Sequence, residues 1–177
     1  QIGLPPGVVN VVNGDHVPTT AWYDDPRVRG ICMVGSSPTA RKIAEVAGRA
    51  GKRTMLLGGA KNYLVAMEDL QWDLFIENYL NSCYGSAGQR CLAGSIVAAV
   101  PEIHDELVER IVAASRKMKV GSALDPDVHV GPVISAEAKA RIEAAIDTGV
   151  TRDKATLVLD GRNPAVPEAI RGGYYVG

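Results

Sequence analysis

The sequence predicts an α/β protein in which short apolar strands alternate with helices. Three observations carry this. Gly30-Ile31-Cys32-Met33-Val34 is an apolar run that breaks at Gly35-Ser36-Ser37-Pro38 and gives way to a helical pattern. Arg53-Thr54-Met55-Leu56-Leu57 is a second run of the same kind, closed by Gly58-Gly59. Ile96-Val97-Ala98-Ala99-Val100 is a third, followed from Pro101 by apolar residues at the three-four spacing of a buried helix face.

In chain order, Gly3-Leu4-Pro5-Pro6-Gly7 is turn chemistry. The β-branched Val8-Val9-Asn10-Val11-Val12, bounded by Asn13-Gly14, reads as a buried strand. After Asp24-Asp25-Pro26 comes the 30–34 strand, then a helix over 39–50. Strand, glycine, hydroxyl cap and helix in that order make a βα junction whose free N–H groups and positive dipole end suit an anion; the same residues serve equally as plain capping. The 53–57 strand and the Gly58-Gly59 hinge lead to another strand over 63–67. Asp69 stands where it would cap a helix from Leu70 to about Ser82, with Trp72, Phe75 and Tyr79 read as packing residues. The 96–100 strand is followed by a helix that Pro101-Glu102 opens, with Ile103, Leu107, Val108, Ile111 and Val112 on its inner face. Ser135 caps a helix over 136–148, and Thr156-Leu157-Val158-Leu159-Asp160 reads as a last short strand.

Composition narrows the function classes. With 46% hydrophobic and 22% charged residues the 177-residue chain can bury a core. Its net charge of -1 offers no basic field for nucleic acid. No apolar run approaches the roughly 20 residues that span a bilayer, and the first residues do not have the pattern of a secretory signal. Cys32, Cys83 and Cys91 leave an odd thiol under any pairing, which favours a reducing compartment. The expected location is the cytoplasm, or the mitochondrial matrix in a eukaryote. His16, His104 and His129 have no ligand spacing, so no metal is expected. The chain lacks an initiator methionine, and the expectation is an internal piece of a longer protein.

Cys91 lies in Gly85-Ser86-Ala87-Gly88-Gln89-Arg90-Cys91-Leu92-Ala93-Gly94-Ser95, among residues with almost no side-chain bulk. Small neighbours let a ligand approach the sulfur. A thiol acts as nucleophile through its thiolate, which a cation such as Arg90 or a helix N-terminus favours. On spacing alone, Cys91 reads first as a small core residue.

The Gly88-Gln89-Arg90-Cys91 segment, with Gly85 and Ala87 before it, resembles the cysteine signature of the aldehyde dehydrogenase superfamily. Gly3–Val12, Val34–Pro38, Leu57-Gly58-Gly59-Ala60-Lys61-Asn62, Gly131–Ser135, Leu157–Arg162 and Gly173–Gly177 extend the resemblance, in family order, over nearly the whole chain. The pattern is most similar to the acylating, coenzyme A-dependent branch, the methylmalonate-semialdehyde dehydrogenases.

The resemblance implies an aldehyde dehydrogenase-like α/β fold. Residues 1–57 would be the closing part of a Rossmann-like NAD-binding domain, and residues 58–177 part of the catalytic domain. It implies Cys91 as the nucleophile, and NAD held near Gly35, Ser36, Thr39 and Leu57, with the Pro5-Pro6-Gly7 turn towards the adenine end. Coenzyme A would be the acyl acceptor, and Arg90 either binds a substrate carboxylate or anchors the nucleophile loop. Hydrolytic members carry a glutamate where this chain has Leu56, and many a second glycine where it has Ala40. The implied partners are a small semialdehyde and further copies of the full-length chain, with neither nucleic acid nor membrane. Other parts of the family's site would lie outside residues 1–177, so this piece alone is expected to show no turnover. Two rivals stand beside this reading: a hydrolytic semialdehyde dehydrogenase, and a non-catalytic dinucleotide-binding or oligomerisation module with Cys91 purely structural.

Overall fold

A computed structural model describes residues 3–177, which divide into two compact units, one ending at Gly59 and the other spanning Ala60–Gly177. In the first unit, β1 (Gly30–Val34), α2 (Ser37–Arg49) and β2 (Arg53–Leu57) follow α1 (His16–Asp24). The two strands pair in parallel, Gly30 opposite Arg53 through Val34 opposite Leu57. Parallel strands need a crossover, and α2 is that crossover. Ser36 caps it through its hydroxyl, Pro38 sits in its first turn, and Gly51, at φ +64°, ends it in a conformation that favours glycine. Ile43 and Ala47 on α2 form the buried core with Tyr23 of α1, and Ile31, Met33, Val46 and Leu56 pack against them. Lys52 closes the unit by donating to the carbonyls of Trp22 and Asp25 at 2.8 and 2.7 Å.

The second unit repeats the strand-helix-strand scheme. β3 (Tyr63–Ala66), α3 (Trp72–Tyr84) and β4 (Ile96–Ala99) place two parallel strands side by side, Tyr63 opposite Ile96 through Ala66 opposite Ala99. α4 (His104–Ser115) enters through a 3-10 turn at Pro101–Ile103 and buries Leu107 against Ala66 and Ile103. Trp72, Phe75, Ile76, Val97 and Ile111 surround that cluster. The Arg110 guanidinium lies 4.7 Å from the Trp72 ring centroid, a contact worth about 0.5–1 kcal/mol where solvent reaches it. α5 (Ala136–Thr151) starts at Ser135, whose hydroxyl accepts from the Ala138 N–H. Among the described residues no helix is long and apolar enough to cross a membrane.

Three sequence expectations are corrected, and one helix is added. Val8–Val12 is not a strand: Val8, Val9, Val11 and Val12 are all exposed, and β1 and β2 pair with each other. Thr156–Asp160 is not one either, with Leu157 and Val158 exposed and no ladder partner. A β-branched run becomes a strand only where a neighbour's amides meet its own. The cap position of α3 is Gln71, not Asp69, because Asp69 lies inside the turn that the Leu70 N–H closes on the Met67 carbonyl. The added helix is α1, which Asp15 caps by accepting from the Val17 N–H at 2.9 Å.

Candidate active site

Two groups of residues stand out, one in each unit. In the first, the carboxyl ends of β1 and β2 lie side by side, and the Gly35 N–H donates to the Leu57 carbonyl at 3.0 Å. Ser36 and Thr39 share a hydrogen bond between hydroxyls at 2.8 Å, and the Thr39 N–H donates to Ser36 Oγ at 3.3 Å. All four residues expected to hold a cofactor are therefore within one small exposed region. Pro38 has no N–H and that of Thr39 is capped, which leaves the Ser37 N–H for an incoming acceptor.

The Gly58-Gly59 hinge rests on this helix start. Ser37 Oγ accepts from the Gly59 N–H at 3.0 Å, and a Cβ on Gly58 would stand 2.9 Å from the same oxygen. Only glycine lets the hinge lie so close. Crevices outside the carboxyl ends of parallel strands are where open α/β sheets take ligands, and a helix N-terminus there suits a phosphate. Leu56 is half-buried and packs towards Ile43 and Ala47, while Ala40 sits half-buried within α2.

In the second unit, α3 delivers the chain to Cys91 through a sharp change of hand. Ser86 and Ala87 have φ of 55° and 51°, and Gly88 has φ 68°. Three left-handed residues in succession stop α3 and start a reversal. Gln89 holds the reversal open at both ends: its Nε2 donates to the Ser86 carbonyl at 2.9 Å, and its Oε1 accepts from the Ile134 N–H at 3.2 Å. The Ala93 N–H then closes a turn on the Arg90 carbonyl at 3.1 Å, with Cys91 and Leu92 at its tip.

Cys91 is exposed, not packed as a core residue. It follows the carboxyl end of α3 and the left-handed reversal, so the run before it supplies no helix N-terminus. The Arg90 guanidinium turns back over Gly85 and donates through Nη2 to the Asn81 carbonyl near the end of α3. Arg90 and Cys91, with Asn78, Asn81, Ser82 and Leu92, line an open depression of about 520 Å³ whose lining holds no carboxylate. Elsewhere on α3, burial pushes the Tyr79 phenol up, helped by the Tyr84 hydroxyl, and keeps it a neutral packing group. Among the described residues no cluster of side chains could hold a metal ion.

Sequence reasoning did not assign a role to the residues that hold the turn from behind. Asn62 Nδ2 donates to the Cys91 carbonyl at 2.9 Å and to the Ala93 carbonyl at 3.0 Å, and Ser82 Oγ accepts from the Gly94 N–H at 2.9 Å. A Cβ on Gly94 would meet Leu64 Cδ1 at 2.8 Å, so this glycine is fixed by space. The only local signal was an amide side chain directly before an apolar strand.

Compared with known proteins, residues 1–177 match the family described as the aldehyde dehydrogenase family. The chain is 40% identical over 177 residues to malonate-semialdehyde dehydrogenase 2 of Geobacillus kaustophilus, covering all of this chain and 36% of that protein. It superposes with a TM-score of 0.91 on the methylmalonate-semialdehyde dehydrogenase of Oceanimonas doudoroffii, at 40% identity over 99% of this chain and 36% of the other. The same score relates it to a protein of Sinorhizobium meliloti assigned as a methylmalonate-semialdehyde dehydrogenase and solved with NAD, at 36% identity over 99% of this chain and 35% of the other. The chain thus spans about a third of the length of these relatives.

Proposed function

The chain belongs to the aldehyde dehydrogenase family, and from that premise we propose that its parent protein is an NAD-dependent, coenzyme A-acylating malonate- or methylmalonate-semialdehyde dehydrogenase. One observation supports this most: an exposed cysteine on a turn fixed by hydrogen bonds, in a depression lined without a carboxylate.

The Cys91 thiolate attacks the aldehyde carbon and forms a thiohemiacetal, whose oxyanion meets the Cys91 backbone N–H. Bound NAD supplies the acceptor for the hydride that leaves this carbon. The acyl group stays on Cys91 as a thioester until the coenzyme A thiol attacks its carbonyl and the Cys91 thiolate departs. A malonate-type acyl group also loses its free carboxylate as carbon dioxide. Gly35, Ser36, Thr39 and Leu57 fit the dinucleotide: they gather at the carboxyl ends of the parallel β1 and β2 and the start of α2, beside a glycine hinge that a Cβ would obstruct. Leu56 supports transfer to a thiol over hydrolysis, because a side chain without a basic oxygen cannot activate water.

The deciding experiment uses the full-length enzyme with malonate semialdehyde and NAD, with and without coenzyme A. Steady NADH formation is expected to fall at least about tenfold without coenzyme A, and acyl-CoA to be the product when it is present. Equal turnover without coenzyme A, giving the free acid, would refute the acyl-transfer reading.

Arg90 is assigned the substrate carboxylate as well as its bond to Asn81, since a guanidinium carries five N–H donors. Arg90→Ala is expected to raise KM for malonate semialdehyde by about 10–100-fold, the value of one charge-assisted contact, and to leave KM for propanal within a few-fold. Equal changes for both aldehydes would reduce Arg90 to a tether of the turn.

A further inference from the structure

Resting on the cysteine chemistry above, we propose that Asn62 is the positioning residue of the nucleophile, holding the Cys91 backbone so that its N–H faces the developing oxyanion. The turn has two peptide planes next to the Cys91 Cα. The one before it is fixed because the Arg90 carbonyl accepts from the Ala93 N–H at 3.1 Å. The one after it is fixed because the Cys91 carbonyl accepts from Asn62 Nδ2 at 2.9 Å. With a hydrogen bond on each plane, φ and ψ of Cys91 are restrained from both sides.

A trans peptide points its C=O and N–H in opposite directions. The Arg90 carbonyl faces into the turn towards Ala93, so the Cys91 N–H faces out of it. Asn62 gives its second amide hydrogen to the Ala93 carbonyl at 3.0 Å, and the N–H of the same peptide goes to Ser82 Oγ at 2.9 Å. One half-buried amide therefore bridges two carbonyls of the turn from the residue that leads into β3. Its effect falls on the alignment of a donor with a charge that exists only during reaction, and misalignment of about 1 Å is worth on the order of 100-fold in rate.

The test uses the full-length enzyme carrying Asn62→Ala and, separately, Asn62→Asp, which keeps the shape and loses both donors. Two rates are read on each: the single-turnover burst of NADH with propanal, which needs the oxyanion, and alkylation of Cys91 by iodoacetamide, which needs only an accessible thiolate. The expected burst loss is about 30–100-fold, with alkylation within about threefold of the parent and KM for propanal little changed. A burst within threefold of the parent overturns the proposal. So does a parallel fall of both rates, which would make Asn62 only a support for the fold of the loop. The burst precedes any transfer to coenzyme A, so a parent enzyme that bursts and then hydrolyses sinks the acyl-transfer reading while Asn62 keeps its role. A parent with no burst sinks both.

Discussion

In the full-length enzyme, Cys91→Ala abolishes NADH formation, with an expected loss on the order of 10⁴–10⁶-fold, the scale seen when the nucleophile of a covalent mechanism is removed. The variant costs little in packing. Cys91 is exposed, and its turn is held by the Arg90 and Cys91 carbonyls and by Asn62, none of which involves the sulfur. NAD affinity and the thermal midpoint should therefore match those of the parent within error. Cys32 is also exposed, which makes Cys32→Ala the matched control: the same atoms are removed at a solvent-facing thiol of β1, and turnover is retained. If Cys91→Ala stays within tenfold of the parent, the covalent route through this residue is wrong.

Leu107→Ala produces the largest expected stability change. Its side chain is 2% exposed and joins α4 to Ala66 of β3 and to Ile103, with Trp72, Phe75 and Ile111 around it. Truncation loses the transfer free energy of three carbons and leaves a void, together about 2–5 kcal/mol. In urea the unfolding midpoint of the enzyme should drop accordingly, and amide exchange in α4 should accelerate relative to that in α2. A cost below about 1 kcal/mol would mean that α4 closes the void or that this cluster is not the core of its unit.

The parts of the fold written in local chemistry were legible. β1 and β2 were readable to their ends because apolar runs met glycine, and Ser36 and Ser135 announced α2 and α5 as caps. Val8–Val12 and Thr156–Asp160 misled because β-branching describes what a strand prefers and not whether a partner is present. Helix α1 escaped notice because Val17, Pro18, Thr19 and Thr20 are poor helix formers; Pro18 is tolerated in the first turn, where its missing N–H costs nothing. At the candidate site, small neighbours drew attention to Cys91, but its role as nucleophile came only from the family resemblance. Asn62 was not, since its importance comes from carbonyls 29 and 31 positions away.

Because Asn62 immediately precedes β3, and Tyr63 stands opposite Ile96, the register of β3 on β4 decides where the thiol comes to rest. A one-residue slip would exchange the faces of β4 and drag Cys91 away from its amide anchor. Parallel pairing over so long an interval is among the slower events of folding, since loop closure precedes any reward from contact. On the reading proposed for Cys91, its thiol takes up its working position only when that pairing is complete.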